Sequence, residues 1–352
     1  MQKQFTLKSL RNNELFLYVL SSLICLTVLF MGISIGTLSI PFSAIISIFQ
    51  HHLFGSPLPV SVDPTLTNIV MTIRLPRVLL AFLIGASLSL SGAAFQGLLK
   101  NPLADPFTLG VSSGASVGAV LVLFFSIQIP FLGAFTLPII SVFAAFLTLL
   151  IVVAFAKMVD KRMSVETVIL TGIIFSSFLG SLISLMIALT GEELRQIITW
   201  LLGSVSMRGW EYVYLLLPFF IVGSLVLLSQ SKELNLLSFG EEAAQNLGMN
   251  VQFRKFMILS SASLLTGASV AVSGTIGFVG LVIPHLTRLL FGANHVRLLP
   301  LSMLYGGAFL VLADLLARTI IVPRELPIGV ITSLIGAPVF AIILYYRKKA
   351  RM

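Results

Sequence analysis

The stretch FMILSSASLLTGASVAVSGTIGFVGLVIP, residues 256–284, decides how many times the chain crosses a membrane. As one helix, its 29 residues would extend about 44 Å, which is longer than a hydrocarbon core of about 30 Å, yet the stretch is too short for two full spans. Gly274, Gly277 and Gly280 interrupt its second half, and glycine tolerates a tight reversal better than any other residue. We therefore predict a reversal near Gly274 and then a short helix through Pro284 to about Phe291.

Composition outside this stretch indicates an integral membrane protein. The chain has 352 residues, of which 57% are hydrophobic and 10% charged, against roughly 25% charged residues in a soluble domain. Uncharged runs near the length of a membrane-spanning helix recur along the chain, so the predicted fold class is all-α. The basic residues are scattered singly, which argues against nucleic acid as a partner. The one cysteine, Cys25, has no partner for a disulfide and is interpreted as a packing residue.

The distribution of Lys and Arg determines the predicted number of spans. The apolar segments are Leu15 to Gly36, Val78 to Leu99, Leu109 to Ile127, Thr136 to Ala156, Val165 to Thr190, Tyr212 to Ser229, Phe256 to Pro284, Leu299 to Ile320 and Leu326 to Tyr346. With a reversal near Gly274 there are ten spans, and 16 of the 22 basic residues lie on the cytoplasmic side. Without it the division is 12 against 10. Because basic residues favour the cytoplasmic side, we predict ten spans with both termini cytoplasmic.

A short internal repeat indicates two inverted halves. IGASLSLSG at residues 84–92 and TGASVAVSG at residues 266–274 share five of nine residues. Ten spans would make the two copies run in opposite directions, as in transporters built from inverted repeats. Close helix packing by small residues is the alternative explanation. After the first copy, Pro102 and Pro106 forbid a continuous helix, so that segment must be buried in protein or line an aqueous path.

A polar island, SKELNLLSFGEEAAQNLGMNVQFRK at residues 231–255, separates two apolar regions. The piece GEEAAQNLG predicts a short helix, because Glu241 and Glu242 complement the positive end of a helix dipole and Gly248 stops it. A helix of two turns is unstable alone in water, so we expect it to lie on a protein surface. A frayed cytoplasmic loop is the alternative.

The sequence lacks the residue patterns that several kinds of chemistry require. No phosphate-binding loop of the Gly-x-x-x-x-Gly-Lys-Ser/Thr type occurs, so the chain does not itself bind ATP in that way. No metal site is predicted, and His51 and His52 are placed in an exposed loop. A membrane hydrolase would need paired catalytic groups, but the only acid well inside a span is Asp314. Asp314 is four residues before Arg318, which favours a structural ion pair, and a coupling acid of a secondary carrier is the alternative.

Six basic residues lie on the outer side in this topology: Arg74, Arg77, Arg195, Arg208, Arg318 and Arg324. Arg74 and Arg77 in RLPR, together with Arg318 and Arg324, cluster at two positions that inverted halves could bring together. Such a cluster suits an acidic docking partner. The alternative is that these side chains extend to lipid headgroups.

Longer motifs resemble a known family. RLPR, SGAAFQGLLKNPLADPFTLGVSSGASVG, LRQIITWLLGS, FGEEAAQNLG, GFVGLVIPHLTRLL and ELPIGVITSLIGAPVF are similar to segments of the FecCD family, the permease subunits of binding-protein-dependent ABC importers for iron chelates and cobalamin. The resemblance covers essentially the whole chain. It implies a single transmembrane permease domain over residues 1–352 with the type II importer fold of ten helices.

The resemblance also implies partners and sites. The chain would lie in the cell membrane and pair with a second permease subunit, two cytoplasmic ATPase subunits that bind ATP and Mg, and an external substrate-binding protein. The ATPase-coupling residues implied are Ser238, Phe239, Gly240, Glu241, Glu242, Ala243, Ala244, Leu247 and Gly248. Arg74, Arg77 and Arg318, with Arg324 beside them, match arginines that dock the binding protein. Asn101, Leu103, Val165 and Glu166 match a cytoplasmic gate, although Glu166 stands where the family would have a small neutral residue.

The function expected from the resemblance is import, not catalysis. The chain would form the path for a metal chelate, with a ferric siderophore as the expected substrate and cobalamin or haem as alternatives. A secondary carrier coupled through Asp314 is the alternative from another class, and it would need no ATPase.

Overall fold

The structure is a computed structural model that describes residues 14–36, 38–57, 59, 62–161 and 163–349. Lys3, Lys8, Arg11, Arg162 and Arg351, which enter the count of basic residues, lie outside the described residues, as do the two chain ends. None of the described residues lies in a β-strand, so the predicted all-α fold class is confirmed.

The described helices are, in chain order, α1 (Glu14–Ser34), α2 (Phe42–Phe54), α3 (Pro64–Asn68), α4 (Leu75–Leu98), α5 (Val111–Phe124), α6 (Thr136–Val159), α7 (Val165–Leu189), α8 (Leu194–Leu201), α9 (Trp210–Ser229), α10 (Ser231–Ser238), α11 (Glu241–Asn246), α12 (Val251–Ser273), α13 (Val279–Phe291), α14 (His295–Thr319) and α15 (Ile328–Lys349). A π-helical turn, Ile69–Arg74, joins α3 to α4, and 3-10 turns at Pro106–Leu109 and Gly133–Phe135 precede α5 and α6. The prediction for His51 and His52 was wrong, because both lie in the last turn of α2.

The predicted reversal is present at the predicted place. Helix α12 ends at Ser273, and Gly274 takes a left-handed backbone with φ 74°. The reversal is hydrogen-bonded to the end of α8 and to the loop after it: the Ser204 amide donates to the Ser273 carbonyl at 2.7 Å, and the Thr275 side-chain hydroxyl donates to the Leu201 carbonyl. Helix α13 then begins at Val279 and ends at Phe291. Irregular backbone at membrane depth is stable here because protein satisfies its hydrogen bonds.

Seven stretches of the described chain are long and apolar enough to cross a membrane: α1, Pro64–Leu98, Gly133–Val159, α7, α9, α12 and α14. Shorter apolar helices are Phe42–Phe54, Val111–Phe124, Val279–Phe291 and Ile328–Ile343. Each segment predicted as a span therefore contains a helix, but the count of ten spans stays a prediction.

Helix α4 is the central element and is almost wholly buried. Its Gly85 lies against the backbone of Gly306 in α14, and its Gly92 lies against that of Gly280 in α13, where a β-carbon would collide. The Ser91 hydroxyl donates to the Ala262 carbonyl of α12 at 3.0 Å. The two copies of the repeat thus lie on packed helices. Gly97 near the end of α4 lies against His295, which bonds to Asn235 of α10, and Lys255 near the start of α12 pairs with Glu241 of α11. The two copies therefore run in opposite directions, while an inverted relation of the whole halves stays a prediction.

Candidate functional site

The polar island folds into two short helices at one end of the bundle, which we call the coupling end. Gly240, with φ 120°, separates α10 from α11, and Gly248, with φ 84°, follows α11. The predicted short helix is therefore present, with Glu241 and Glu242 in its first turn. Ala244 is fully buried and fixes α11 against the protein. The segment is an ordered surface element of the described chain.

Ion pairs and hydrogen bonds attach this segment to the ends of neighbouring helices. Glu241 pairs with Lys255 at 2.6 Å, and the Lys255 ammonium also donates to the Met163 carbonyl at 3.1 Å. On the other side, Arg254 pairs with Glu233 at 3.4 Å. Because Lys255 is buried, its charge needs both partners. Lys255 therefore links α11 directly to α12 and to the residue Met163 just before α7.

Two large apolar side chains of the polar island, residues 231–255 and the predicted coupling segment, point away from the protein. Phe239 is 80% exposed and Leu247 71% exposed, and Glu242 and Ala243 are exposed between them. Apolar side chains on a charged, ordered surface are typical of contact sites for another protein. The proposed coupling residues thus divide into a buried support, Ala244, and an exposed face.

The outward arginines lie at the opposite end, where α4 begins and α14 ends. Arg77 pairs with Asp314 at 2.8 Å and with Glu325 at 2.8 Å. Asp314 is 1% exposed. The predicted pair of Asp314 with Arg318 is present at 3.7 Å, but the closer partner is Arg77, 237 residues away in the chain. Sequence spacing alone gives no sign of that contact.

Arg74 and Arg318 are buried against the end of α1. Arg74 donates from Nη1 to the carbonyls of Ile33 at 2.7 Å and Ser34 at 2.9 Å, and Arg318 donates to the carbonyl of Gly32. The last carbonyls of a helix lack partners within it and carry partial negative charge, so cations stabilise them. Of the four arginines predicted to dock a binding protein, three are therefore engaged within the chain, and Arg324 is exposed.

The predicted gate residues lie at the coupling end, in the loop after α4 and in the first turn of α7. Asn101 Oδ1 accepts a hydrogen bond from the Leu103 amide at 2.9 Å, which forms a tight turn after α4. Leu103 is half-exposed. Val165 and Glu166 begin α7, where Glu166 is exposed and stands in the acidic-favouring first turn. Gly172 of α7 lies against the Thr108 carbonyl, so the segment that follows the Asn101 turn packs on α7.

Helix α7 carries a feature that the sequence reasoning missed. It is the least buried of the seven long apolar stretches, and Ser177, Ser181 and Ser184 lie on its exposed face. Their spacing of four and then three residues places them on one side of a helix. The pattern could have been found in the sequence, but serines in a membrane helix also occur as hydroxyls bonded to their own backbone, as Ser181 and Ser184 are here.

Within the part of the chain that the structure describes, no group of three His, Cys, Asp or Glu residues is arranged to hold a metal ion. A cavity of about 440 Å³ lies at the coupling end, and its lining includes Lys100, Ser238, Arg288 and His295. The His295 Nδ1–H donates to Asn235 Oδ1 at 2.8 Å, which links the start of α14 to α10.

With this geometry established, residues 23–346 match the FecCD transport family. The chain belongs to this family. It is 60% identical to the uncharacterized ABC transporter permease protein YvrB of Bacillus subtilis (strain 168), over 98% of this chain and 97% of that protein. It is 43% identical to the cobalamin import system permease protein BtuC of Halobacterium salinarum, over 84% of this chain and 78% of that protein.

A solved structure agrees with the fold. That structure is described as an inward-facing conformation of an ABC transporter assigned provisionally to the metal-chelate type. It matches this chain with a TM-score of 0.81 and 34% identity, over 93% of this chain and 97% of that one. The family resemblance noted in the sequence is therefore confirmed. The FecCD chain described here is a multi-pass membrane permease of the ABC importer class, and the relatives that it matches are transport proteins, not enzymes.

Proposed function

We propose that this permease is the membrane subunit of an ATP-driven importer that carries a ferric siderophore across the cell membrane. The exposed apolar face of the coupling segment is the observation that supports ATP-driven transport. Phe239 and Leu247 are exposed on a surface that Ala244 and the Glu241–Lys255 pair hold in place. An exposed apolar surface on an ordered segment suits contact with a partner protein whose movement it must follow. We propose that this partner is the pair of ATPase subunits, which would bind ATP and Mg.

The serine row of α7 supports a path between two permease subunits. A row of exposed hydroxyl side chains on a membrane helix suits contact with water or another protein, although Ser181 and Ser184 also donate to the backbone of their own helix. A second copy, or a similar chain, facing this row would enclose an aqueous path with walls of hydroxyl groups. The gate proposed at Asn101, Leu103, Val165 and Glu166 would close its cytoplasmic end. This proposal treats residues 1–352 as one transmembrane domain, with the coupling segment at 231–255 and both termini in the cytoplasm.

The substrate-binding protein is proposed to dock at the arginine end. Arg324 is exposed there, whereas Arg74, Arg77 and Arg318 have partners within the chain. Contact by these three would require them to exchange an internal partner for an acidic side chain of the binding protein. Such an exchange would couple docking to movement of α1, α4 and α14.

Iron is proposed as the cargo metal because similar permeases carry it. The chain is 40% identical to the Fe(3+) dicitrate transport system permease protein FecD of Escherichia coli (strain K12), over 78% of this chain and 85% of that protein. Cobalamin and haem are the alternatives. A secondary carrier coupled through Asp314 is less well supported, because protonating a carboxylate between Arg77 and Arg318 would leave buried positive charge uncompensated.

The test is uptake by liposomes that contain the full chain with its ATPase and a binding protein in the same medium. We expect uptake of an iron-55 siderophore that requires ATP hydrolysis and the binding protein, and that persists when proton and sodium gradients are abolished. Uptake driven by a proton gradient without ATPase subunits would contradict the proposal and favour the carrier.

A further inference from the structure

A second cavity, of about 530 Å³, lies at the end of the bundle opposite the coupling end. We call it the outer cavity. The end of α5, the start of α6, helix α8, the loop after α8 and the end of α12 form it, and its polar lining includes Arg195, Gln196, Thr199, Trp200, Ser204 and Arg208. Its volume is in the range of small-molecule sites.

The polar lining of the outer cavity is rich in hydrogen-bond donors. Arg195 and Arg208 both line it, and among the residues that the structure describes no Asp or Glu does. Neither arginine forms a salt bridge with a described residue. Arg208 packs on the ring of Tyr212, with its guanidinium carbon 4.3 Å from the ring centroid. Two arginine charges without a carboxylate favour a ligand of negative charge.

Trp200 gives a second, independent indication. Its side chain is buried, and within the described chain its Nε1 has no hydrogen-bond partner. An indole N–H can only donate, and a buried donor without an acceptor is costly. The Trp200 carbonyl lies against Gly274 at the reversal and accepts a hydrogen bond from the Gly203 amide at 3.1 Å, which fixes the backbone that carries this side chain. The indole N–H of Trp200 therefore lacks an acceptor among the described residues, and an oxygen atom of a ligand would supply one.

We propose that the outer cavity is a selectivity subsite for an anionic, oxygen-rich iron chelate, in which Arg195 and Arg208 bind ligand carboxylates and Trp200 donates to a ligand oxygen. This inference rests on the proposed function and narrows its substrate class to chelates of negative charge. A chelate without net negative charge gains nothing from the two arginines. The site is separate from the coupling segment and from the arginines bound at the end of α1.

The chain has two tryptophans, so Trp210→Phe leaves Trp200 as the only one and makes its fluorescence a probe of the cavity. Ferric citrate, an anionic iron chelate that absorbs light, is titrated against the full chain in lipid nanodiscs. We expect saturable quenching, weakened by salt. In Arg195→Gln with Arg208→Gln the dissociation constant should rise at least tenfold, and uncharged cyanocobalamin should not compete.

Lys157→Gln is the matched control, because it removes an exposed positive charge at the end of α6 outside the cavity, and it should leave the dissociation constant unchanged. Arg195→Gln alone is a milder variant at an exposed position of α8, with an expected rise of at least threefold if the double variant does not fold. Quenching that does not saturate, or equal dissociation constants for the double variant and the control, would overturn the inference. The titration needs neither ATPase nor binding protein, so its failure leaves ATP-driven uptake standing, whereas loss of uptake with intact quenching would refute the proposed function alone.

Discussion

The two ends of this permease use their charged residues in opposite ways. At the arginine end, Arg74 and Arg318 are buried and Arg77 is partly buried, and all three have partners in the chain, among them Asp314, Glu325 and the last carbonyls of α1. At the coupling end, the acidic helix α11 has one fixed ion pair, Glu241 with Lys255, and exposes Phe239 and Leu247. The first set of charges joins helices to each other. The second supports a surface that has no protein over it in this chain.

The residues of the family motifs therefore fall into two kinds, which the sequence alone does not distinguish. A motif arginine that is buried and paired contributes to folding, whatever it also does in a complex. A motif phenylalanine that is exposed on a polar surface contributes little to folding and is available to a partner. Substitutions at the arginine end should therefore affect stability first, and substitutions at the coupling end should affect assembly first.

The largest expected effect is at Asp314. Asp314→Asn removes the negative charge between Arg77 and Arg318, and loss of one partner of a buried ion pair costs about 3–5 kcal/mol. Thermal unfolding in detergent measures the change. Glu242→Gln, on the exposed face of α11, is the control and should stay within about 0.5 kcal/mol of the native protein. Equal stability of the two variants would show that the arginine end is no more constrained than the coupling end.

The next effect is on assembly. Phe239→Ala with Leu247→Ala should leave the stability of the permease nearly unchanged but weaken its binding to the ATPase, by about 2 kcal/mol or more if the two are hot-spot residues. Co-purification and ATPase titration measure the loss. Leu53→Ala, which truncates an exposed leucine of α2, is the matched control. Normal ATPase binding by the double variant would remove the coupling role from this face.

A smaller effect concerns the pair that holds α11 in place. Glu241 is partly exposed and Lys255 is buried, so we expect their interaction to be worth about 1 kcal/mol, as for a partly solvated ion pair. A double-mutant cycle of Glu241→Gln and Lys255→Met, read by chemical denaturation, isolates that interaction. A coupling energy of zero would mean that α11 is held by packing of Ala244 alone.

The last effect, which appears only when the pH is changed, is a stability change at Asp105 in the loop after α4. Burial raises the pKa of Asp105 to about 6 from its ordinary value of 3.8, although its carboxylate accepts a hydrogen bond from the Phe107 amide. The folded state therefore binds this proton more tightly than the unfolded chain, so the stability contribution is most favourable below about pH 4 and is lost as the pH rises through 6. Asp105→Asn keeps the acceptor but not the charge. The variant should be more stable than the native protein at pH 8 and equally stable at pH 4. If the difference in melting temperature between the two proteins is the same at both pH values, the raised pKa of Asp105 is contradicted.

Local chemistry explains which parts of the fold could be predicted. The reversal at Gly274 and the end of the short helix at Phe291 could be predicted, because both depend on residues close by in the sequence: the glycines and the length of the apolar stretch. The short helix α11 follows from Glu241, Glu242 and Gly248 in the same way. Helix α2 was missed because it is too short for a span and lacks an acidic first turn.

The contacts between distant segments could not be predicted from the sequence. Arg77 and Asp314 are 237 residues apart, and the nearby Arg318 already offered Asp314 a partner by helical spacing. Arg74 gives no local sign that it will cap α1, because that role depends on where the end of α1 lies in space. The lining of the outer cavity by Arg195, Trp200 and Arg208 likewise depends on the loop after α8 folding back on the reversal at Gly274.

Thiol labelling at the coupling end tests the central claim most directly. In a Cys25→Ser background, Leu247→Cys gives one reactive thiol on the exposed face, and its reaction with a water-soluble maleimide is timed with and without the ATPase subunits. We predict fast labelling of the permease alone and at least tenfold slower labelling in the complex, with no such change for Leu53→Cys at the other end. The same rate for Leu247→Cys in both states would contradict the account, because the surface assigned to the ATPase would then remain open when the ATPase is bound.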